Sequence, residues 1–98
     1  MSVPVFIGDE VSACGYRLAG LRVRVPAREE VDTVLAAACE DASLVLLGAG
    51  VARWLPEVQL QRLLARDSPP VVVVPDVNGL AAPDEVALRM RRQLGVLE

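Results

Sequence analysis

Short apolar runs alternate along the chain with segments whose apolar residues recur every three or four positions. Buried strands are predicted from the apolar runs at 3–8, 43–48 and 69–75. The run at 21–25, Leu-Arg-Val-Arg-Val, alternates apolar residues with arginine and predicts an edge strand with one face in solvent. Helices are predicted over about 10–20, 27–40, 56–66 and 83–94.

The same periodicity predicts which helical residues face the core. In the first helix these are Val11, Cys14, Leu18 and Leu21, with Gly20 as its stop. In the second they are Val31, Val34, Leu35 and Ala38, and in the third Leu60, Leu63 and Leu64. Tyr16 and Arg17 are predicted to point away from the first of these stripes.

Strands alternating with helices, and strands made of continuous Val, Ile and Leu, are typical of an α/β fold with a doubly wound parallel sheet. Right-handed crossovers would cover the sheet with helices on both faces, and the expected strand order is 2-1-3-4. Residues 1–75 are predicted to be this core, and residues 76–98 a linker followed by a C-terminal helix.

Charge and composition exclude several classes of function. All ten basic residues are arginine and the formal net charge is -3, so nucleic acid is not an expected partner. Cys14 and Cys39 lack the spacing and number of a metal site, and we interpret them as small buried residues in a reducing compartment. No apolar stretch is long enough to span a bilayer, so the protein is expected to be soluble and cytoplasmic, without membrane insertion.

The strand order predicts a crevice where the carboxyl ends of the first and third strands meet. Asp9 and Glu10 would lie there opposite Gly48 and Gly50. "GDE" and "GAGVAR" both lack the glycines of a dinucleotide turn or a phosphate loop, and the chain has no lysine for a receiver domain. We therefore interpret the two acids as complements of the positive end of the first helix. Trp54, which follows the glycines, is interpreted as packing over the end of the sheet.

Helix capping does not explain Gly15, which lies in mid-helix where glycine costs about 1 kcal/mol relative to alanine. The segment containing it, "IGDEVSACGYRLAGL", resembles the F subunits of the V-type and A-type rotary ATPases, as do "PPVVVVPDV" and "MRRQLGV". Five residues match the family's pattern in the first helix: Gly15, Tyr16, Leu18, Ala19 and Gly20. The family's acid after the third strand is missing, and the chain ends soon after Gly95.

This resemblance implies a non-catalytic component of the central rotor stalk, peripheral to the membrane, with no cofactor and no metal. Its implied partner is the D subunit, which forms the coiled-coil shaft, with the catalytic head as a further contact. ATP hydrolysis or synthesis and ion transport would belong to the other subunits.

Candidate partner contacts come from the C-terminal helix, as its main docking element, and from the outer side of the first helix: Leu88, Met90, Arg91, Arg92, Leu94, Tyr16 and Arg17. The arginines of the last helix could instead complement its negative end, and Tyr16 and Arg17 could belong to an ordinary solvated face. The alternative function is a small regulatory or ligand-binding module that uses the crevice lined by Asp9, Glu10, Gly48 and Gly50.

Overall fold

The computed structural model describes residues 3–75, which form four strands and four α-helices. The strands are β1 (Pro4–Ile7), β2 (Arg22–Arg24), β3 (Leu44–Gly48) and β4 (Val71–Val74). The helices are α1 (Glu10–Leu18), α2 (Val31–Asp41), α3 (Ala49–Ala52) and α4 (Glu57–Leu64). The predicted linker and the helix at 83–94 lie outside the described residues.

The four strands form one parallel sheet in the order β2-β1-β3-β4, as predicted. In register, Ile7 lies beside Arg24 on one side and Leu47 on the other, and Leu47 lies beside Val73. The two central strands, β1 and β3, are apolar on both faces, whereas β2 is the predicted edge strand with exposed arginines.

Helices pack on both faces of the sheet because alternate strand residues point to opposite sides. On one face, α2 and the segment after β3 cover a core that contains Val5, Ile7, Val31, Val34, Leu35, Ala38, Val45, Leu47, Val51, Ala52, Leu55 and Val71. On the other face, α1 covers Phe6, Ala13, Tyr16, Ala19 and Leu46. The predicted inward stripe of α2 is confirmed at all four positions.

The predicted inward face of α1 is wrong at Val11 and Leu18, whereas Leu21 packs against the core as predicted. Val11 and Leu18 are 53% and 50% exposed, and Cys14, like Cys39, is only half-buried. Ser12, Ala13, Tyr16 and Ala19 face the sheet instead. The small side chains of Ser12, Ala13 and Ala19 allow the helix to approach the strands closely, and the Tyr16 ring fills the remaining space. The branched side chains of Val11 and Leu18 are therefore left on the outside.

The end of α1 forms as predicted at Gly20, which has a φ of +99° that other residues rarely adopt. The Gly20 amide donates to the Arg17 carbonyl (3.0 Å), and the Leu21 amide donates to the Tyr16 carbonyl (3.1 Å). This is the Schellman arrangement, and it leads the chain directly into β2. Leu21 packs against the same cluster as Tyr16.

The connection from β3 to β4 differs from the prediction in two respects. A single turn, α3, precedes the predicted third helix, because Val51 and Ala52 are drawn into the core. In α4, Leu60 and Leu63 face the core as expected, but Leu64 is 44% exposed, so its inward placement is wrong.

Candidate functional site

The carboxyl ends of β1 and β3 lie side by side, because Ile7 and Leu47 are partners in the parallel ladder. Asp9 and Glu10 follow β1, and Gly48 and Gly50 stand at the end of β3 and in α3. The chain leaves β1 toward one face and β3 toward the other. The structure therefore brings these four residues to one edge of the sheet, at the predicted switch point.

Asp9 caps α1. Its Oδ2 accepts a hydrogen bond from the Ser12 amide at 3.0 Å, while its Oδ1 is buried without a hydrogen-bond partner in the structure of residues 3–75. Burial raises the pKa of Asp9, but the hydrogen bonds from Ser12 and nearby backbone amides together outweigh it, so the pKa lies below its usual value of 3.8. The Asp9 carboxylate therefore serves as the N-cap of α1, and Glu10 beside it is exposed.

Asp9→Ala should lower the free energy of unfolding by about 1 kcal/mol at pH 7, because it removes the cap. Asp9→Asn keeps an acceptor and should have a smaller effect. The folded-state pKa of Asp9 is lowered, so its ionised carboxylate stabilises the folded chain fully above the unfolded-state pKa. This stabilisation is lost as the pH falls through the folded-state pKa. Urea unfolding between pH 7 and pH 3 should show the Asn variant converging on the parent, with Glu10→Gln as the control; a gap that stays constant would contradict the assignment.

Gly8, between β1 and Asp9, is required by packing. A Cβ at this position would overlap the tip of the Phe6 ring and approach its Cε2 to 2.8 Å. The Phe6 ring is itself completely buried and stacks on Tyr16, with ring centroids 4.2 Å apart. The glycine of the "GDE" junction thus makes room for an aromatic pair.

Of the two candidate contact residues within residues 3–75, Tyr16 is the one whose predicted orientation is wrong. Its side chain is 4% exposed, and burial raises the pKa of its hydroxyl. Its ring belongs to the core beneath α1, so it is not available to a partner of the folded chain. Arg17 is exposed, as predicted. The other candidate contacts, Leu88, Met90, Arg91, Arg92 and Leu94, lie outside the described residues.

The segment after β3 is occupied by packing. Val51 and Ala52 are buried, and Trp54 packs against the same core, which confirms the packing interpretation of that residue. The Arg28 guanidinium lies 5.9 Å from the centre of the Trp54 ring. Within residues 3–75 no three His, Cys, Asp or Glu side chains are grouped as a metal site would require, and that part of the chain has no helix of the length and hydropathy that crossing a bilayer takes.

A groove between β2 and α2 is a feature that sequence reasoning missed. Arg22 and Arg24 line it together with alanines of α2, and its volume is about 100 Å³. The Arg22 guanidinium forms an ion pair with Asp41 at 3.1 Å, with both side chains mostly exposed. The alternation of arginine in "LRVRV" was the available signal, but the pattern alone does not show what lies beside it.

Fold and site together define a doubly wound parallel α/β domain whose switch point is used for helix capping and core packing. Compared with known families, residues 5–91 match the model of the ATP synthase (F/14-kDa) subunit. The chain therefore belongs to this family of V/A-type ATP synthase subunits, which confirms the family resemblance predicted from the sequence. Among curated proteins, none matches the chain.

Proposed function

We propose that this chain is a non-catalytic component of the central rotor stalk of a V/A-type ATPase. In this role it docks on the D subunit, the coiled-coil shaft of the enzyme, at the cytoplasmic side of the membrane. It helps to couple ATP hydrolysis or synthesis in the catalytic head to ion transport. The observation that carries the proposal is the family match over residues 5–91.

The geometry of the switch point supports a role in assembly. In many doubly wound proteins this crevice holds a ligand. Here Asp9 is used as a helix cap, and Gly8 accommodates the Phe6 ring. Apart from the unpartnered Oδ1 of Asp9, no observation in residues 3–75 favours the alternative of a ligand-binding module, so we propose no second function.

The contact with the shaft is assigned to the segment after residue 82. Its sequence predicts an amphipathic helix in which Val86, Met90 and Leu94 form one stripe, while Leu88 lies between Arg91 and Arg92. An amphipathic helix that presents anchors at this spacing is a recurrent way to join a coiled coil. Arg17, exposed on α1, is the remaining candidate outside that segment.

The test is binding of the full chain to the purified shaft protein of the same enzyme. Replacing Leu88, Met90 and Leu94 together by alanine should weaken binding by at least about tenfold, because buried apolar anchors dominate such interfaces. Val58→Ala is the matched control, since Val58 is an apolar residue of α4 that is 61% exposed and is not among the assigned contacts. Calorimetric titration measures both variants.

Three outcomes separate the parts of the proposal. Unchanged binding of the triple variant, with loss of binding in Arg17→Ala, would move the contact to α1. Unchanged binding in both variants would contradict both assigned contacts. If the parent chain does not bind the shaft protein at all, the stalk function itself is wrong.

A further inference from the structure

We propose that the free edge of β2 accepts an extended acidic segment of a partner protein as a fifth strand. The acidic side chains of that segment would lie over the groove between β2 and α2, beside Arg22 and Arg24. The proposal is argued only from residues of β1, β2 and α2 and their surroundings, and it makes no use of the predicted C-terminal helix.

The first argument is the position of β2 in the sheet. It is the end strand of the order, paired only with β1 among the described strands. The Arg24 carbonyl accepts from the Gly8 amide at 3.1 Å and therefore points toward β1. Because successive residues of a strand direct their hydrogen-bonding groups to opposite sides, the N–H and C=O of Val23 point to the free edge. They are the groups that an added strand would bond.

The second argument is the space beside that edge. Val5, Ala37, Ala38 and Ala42 form an apolar floor of small side chains, and Arg22 and Arg24 stand at the rim of the groove. Side chains of adjacent strands lie about 5 Å apart on the same face. Alternate side chains of a fifth strand would therefore stand next to the two arginines, with room over the alanines.

The third argument is charge, and it selects the occupant. Arg22 and Arg24 are exposed on the same face, and the one acid that lines the groove, Asp41, is already paired with Arg22. That exposed ion pair is weak and can exchange partners. Carboxylates on an incoming strand would gain two charge-assisted contacts. A second copy of this chain would instead oppose arginines to arginines, so self-pairing at this edge is disfavoured.

The test is a titration of the isotope-labelled full chain at pH 7, followed by nuclear magnetic resonance. The probe is a capped heptapeptide that alternates valine and glutamate, and its counterpart alternates valine and lysine. With the glutamate peptide, the Val23 amide signal should shift and its hydrogen exchange should slow about tenfold at saturation. The lysine peptide should leave both unchanged.

Variants make the assignment specific. Arg24→Glu should weaken binding of the glutamate peptide by about tenfold or more and allow the lysine peptide to bind. Arg62→Glu is the matched control, because Arg62 is exposed on α4, which packs beside β4 at the opposite edge. Like the parent, this variant should bind the glutamate peptide and not the lysine peptide.

Four results would each overturn the proposal. The first is no change at Val23 up to about 10 mM peptide, roughly the weakest binding that such a titration detects. The second is an equal response to free glutamate, which would indicate charge without strand pairing. The third is a Val23 amide that already exchanges slowly before peptide is added, which would mean that the chain covers its own edge. The fourth is a Val23 shift that depends on protein concentration alone, which would indicate a second copy.

Discussion

Phe6→Ala should lower the free energy of unfolding by about 3–5 kcal/mol, the range for removing a fully buried phenylalanine. Phe6 is 0% exposed, and its ring stacks on Tyr16 at an interplanar angle of 19°. The substitution removes this stacking and leaves a cavity under α1. Because small domains are stable by only about 5–15 kcal/mol in total, this is the largest single loss that we expect.

Urea unfolding of the full chain measures this effect. Far-ultraviolet circular dichroism follows the helices, and the fluorescence of Trp54, the only tryptophan, follows the opposite face of the sheet. Val72→Ala is the matched control, since Val72 is 45% exposed on β4 and should lose less than about 1 kcal/mol. If the alanine variant does not fold, Phe6→Leu should still fold with an intermediate loss. Equal losses for Phe6→Ala and Val72→Ala would contradict the central role of the Phe6 ring.

The strands could be predicted from the burial of their apolar residues, and their order from the right-handed crossover rule. Runs such as Leu44–Gly48 are apolar at every position, which suits only a strand buried on both faces. The arginines of β2 mark an edge for the same reason. Right-handed crossovers then leave few ways to arrange four parallel strands. The buried side of α2 could also be predicted, because its large apolar residues recur at the helical period on one side only.

Which side of α1 faces the sheet could not be predicted from hydropathy, because it depends on how closely the helix packs against the strands. Val11 and Leu18 are more apolar than Ser12 and Ala13, so a periodicity argument places them inside. In the structure the small residues allow the helix to lie near the sheet, and the Ser12 hydroxyl is satisfied locally at Asp9. The Tyr16 ring stacks on Phe6 and belongs to the core on this face, so the helix turns this residue inward.

The location of the candidate site and the capping role of Asp9 were predicted, whereas the role of Gly8 and the groove beside β2 were not. Strand order alone brings Asp9 and Gly48 to one edge, and the capping role of Asp9 follows from its position before a helix. The role of Gly8 depends on a ring two residues earlier that folds back over the backbone, which no local pattern encodes. The groove beside β2 likewise arises from residues in β1, β2 and α2 that are distant along the chain.

Gly8→Ala should lower the free energy of unfolding by about 1–3 kcal/mol, the usual range for forcing extra volume into a packed core. The added methyl group would overlap the end of the Phe6 ring, which cannot move aside because it is held between the sheet and Tyr16. Gly8 is not among the residues with positive φ, so the expected loss comes from this overlap and not from backbone strain.

Combining Gly8→Ala with Phe6→Leu separates the overlap from other effects. Leucine at position 6 does not reach as far as the ring tip, so Gly8→Ala should be almost neutral in that background. The two losses should therefore be non-additive by about 1 kcal/mol or more, as expected for residues in direct contact. Urea unfolding of the four chains of this cycle provides the measurement. If the losses add, the glycine at the end of β1 is not there to accommodate Phe6, and its requirement would have to come from the Asp9 side of the junction.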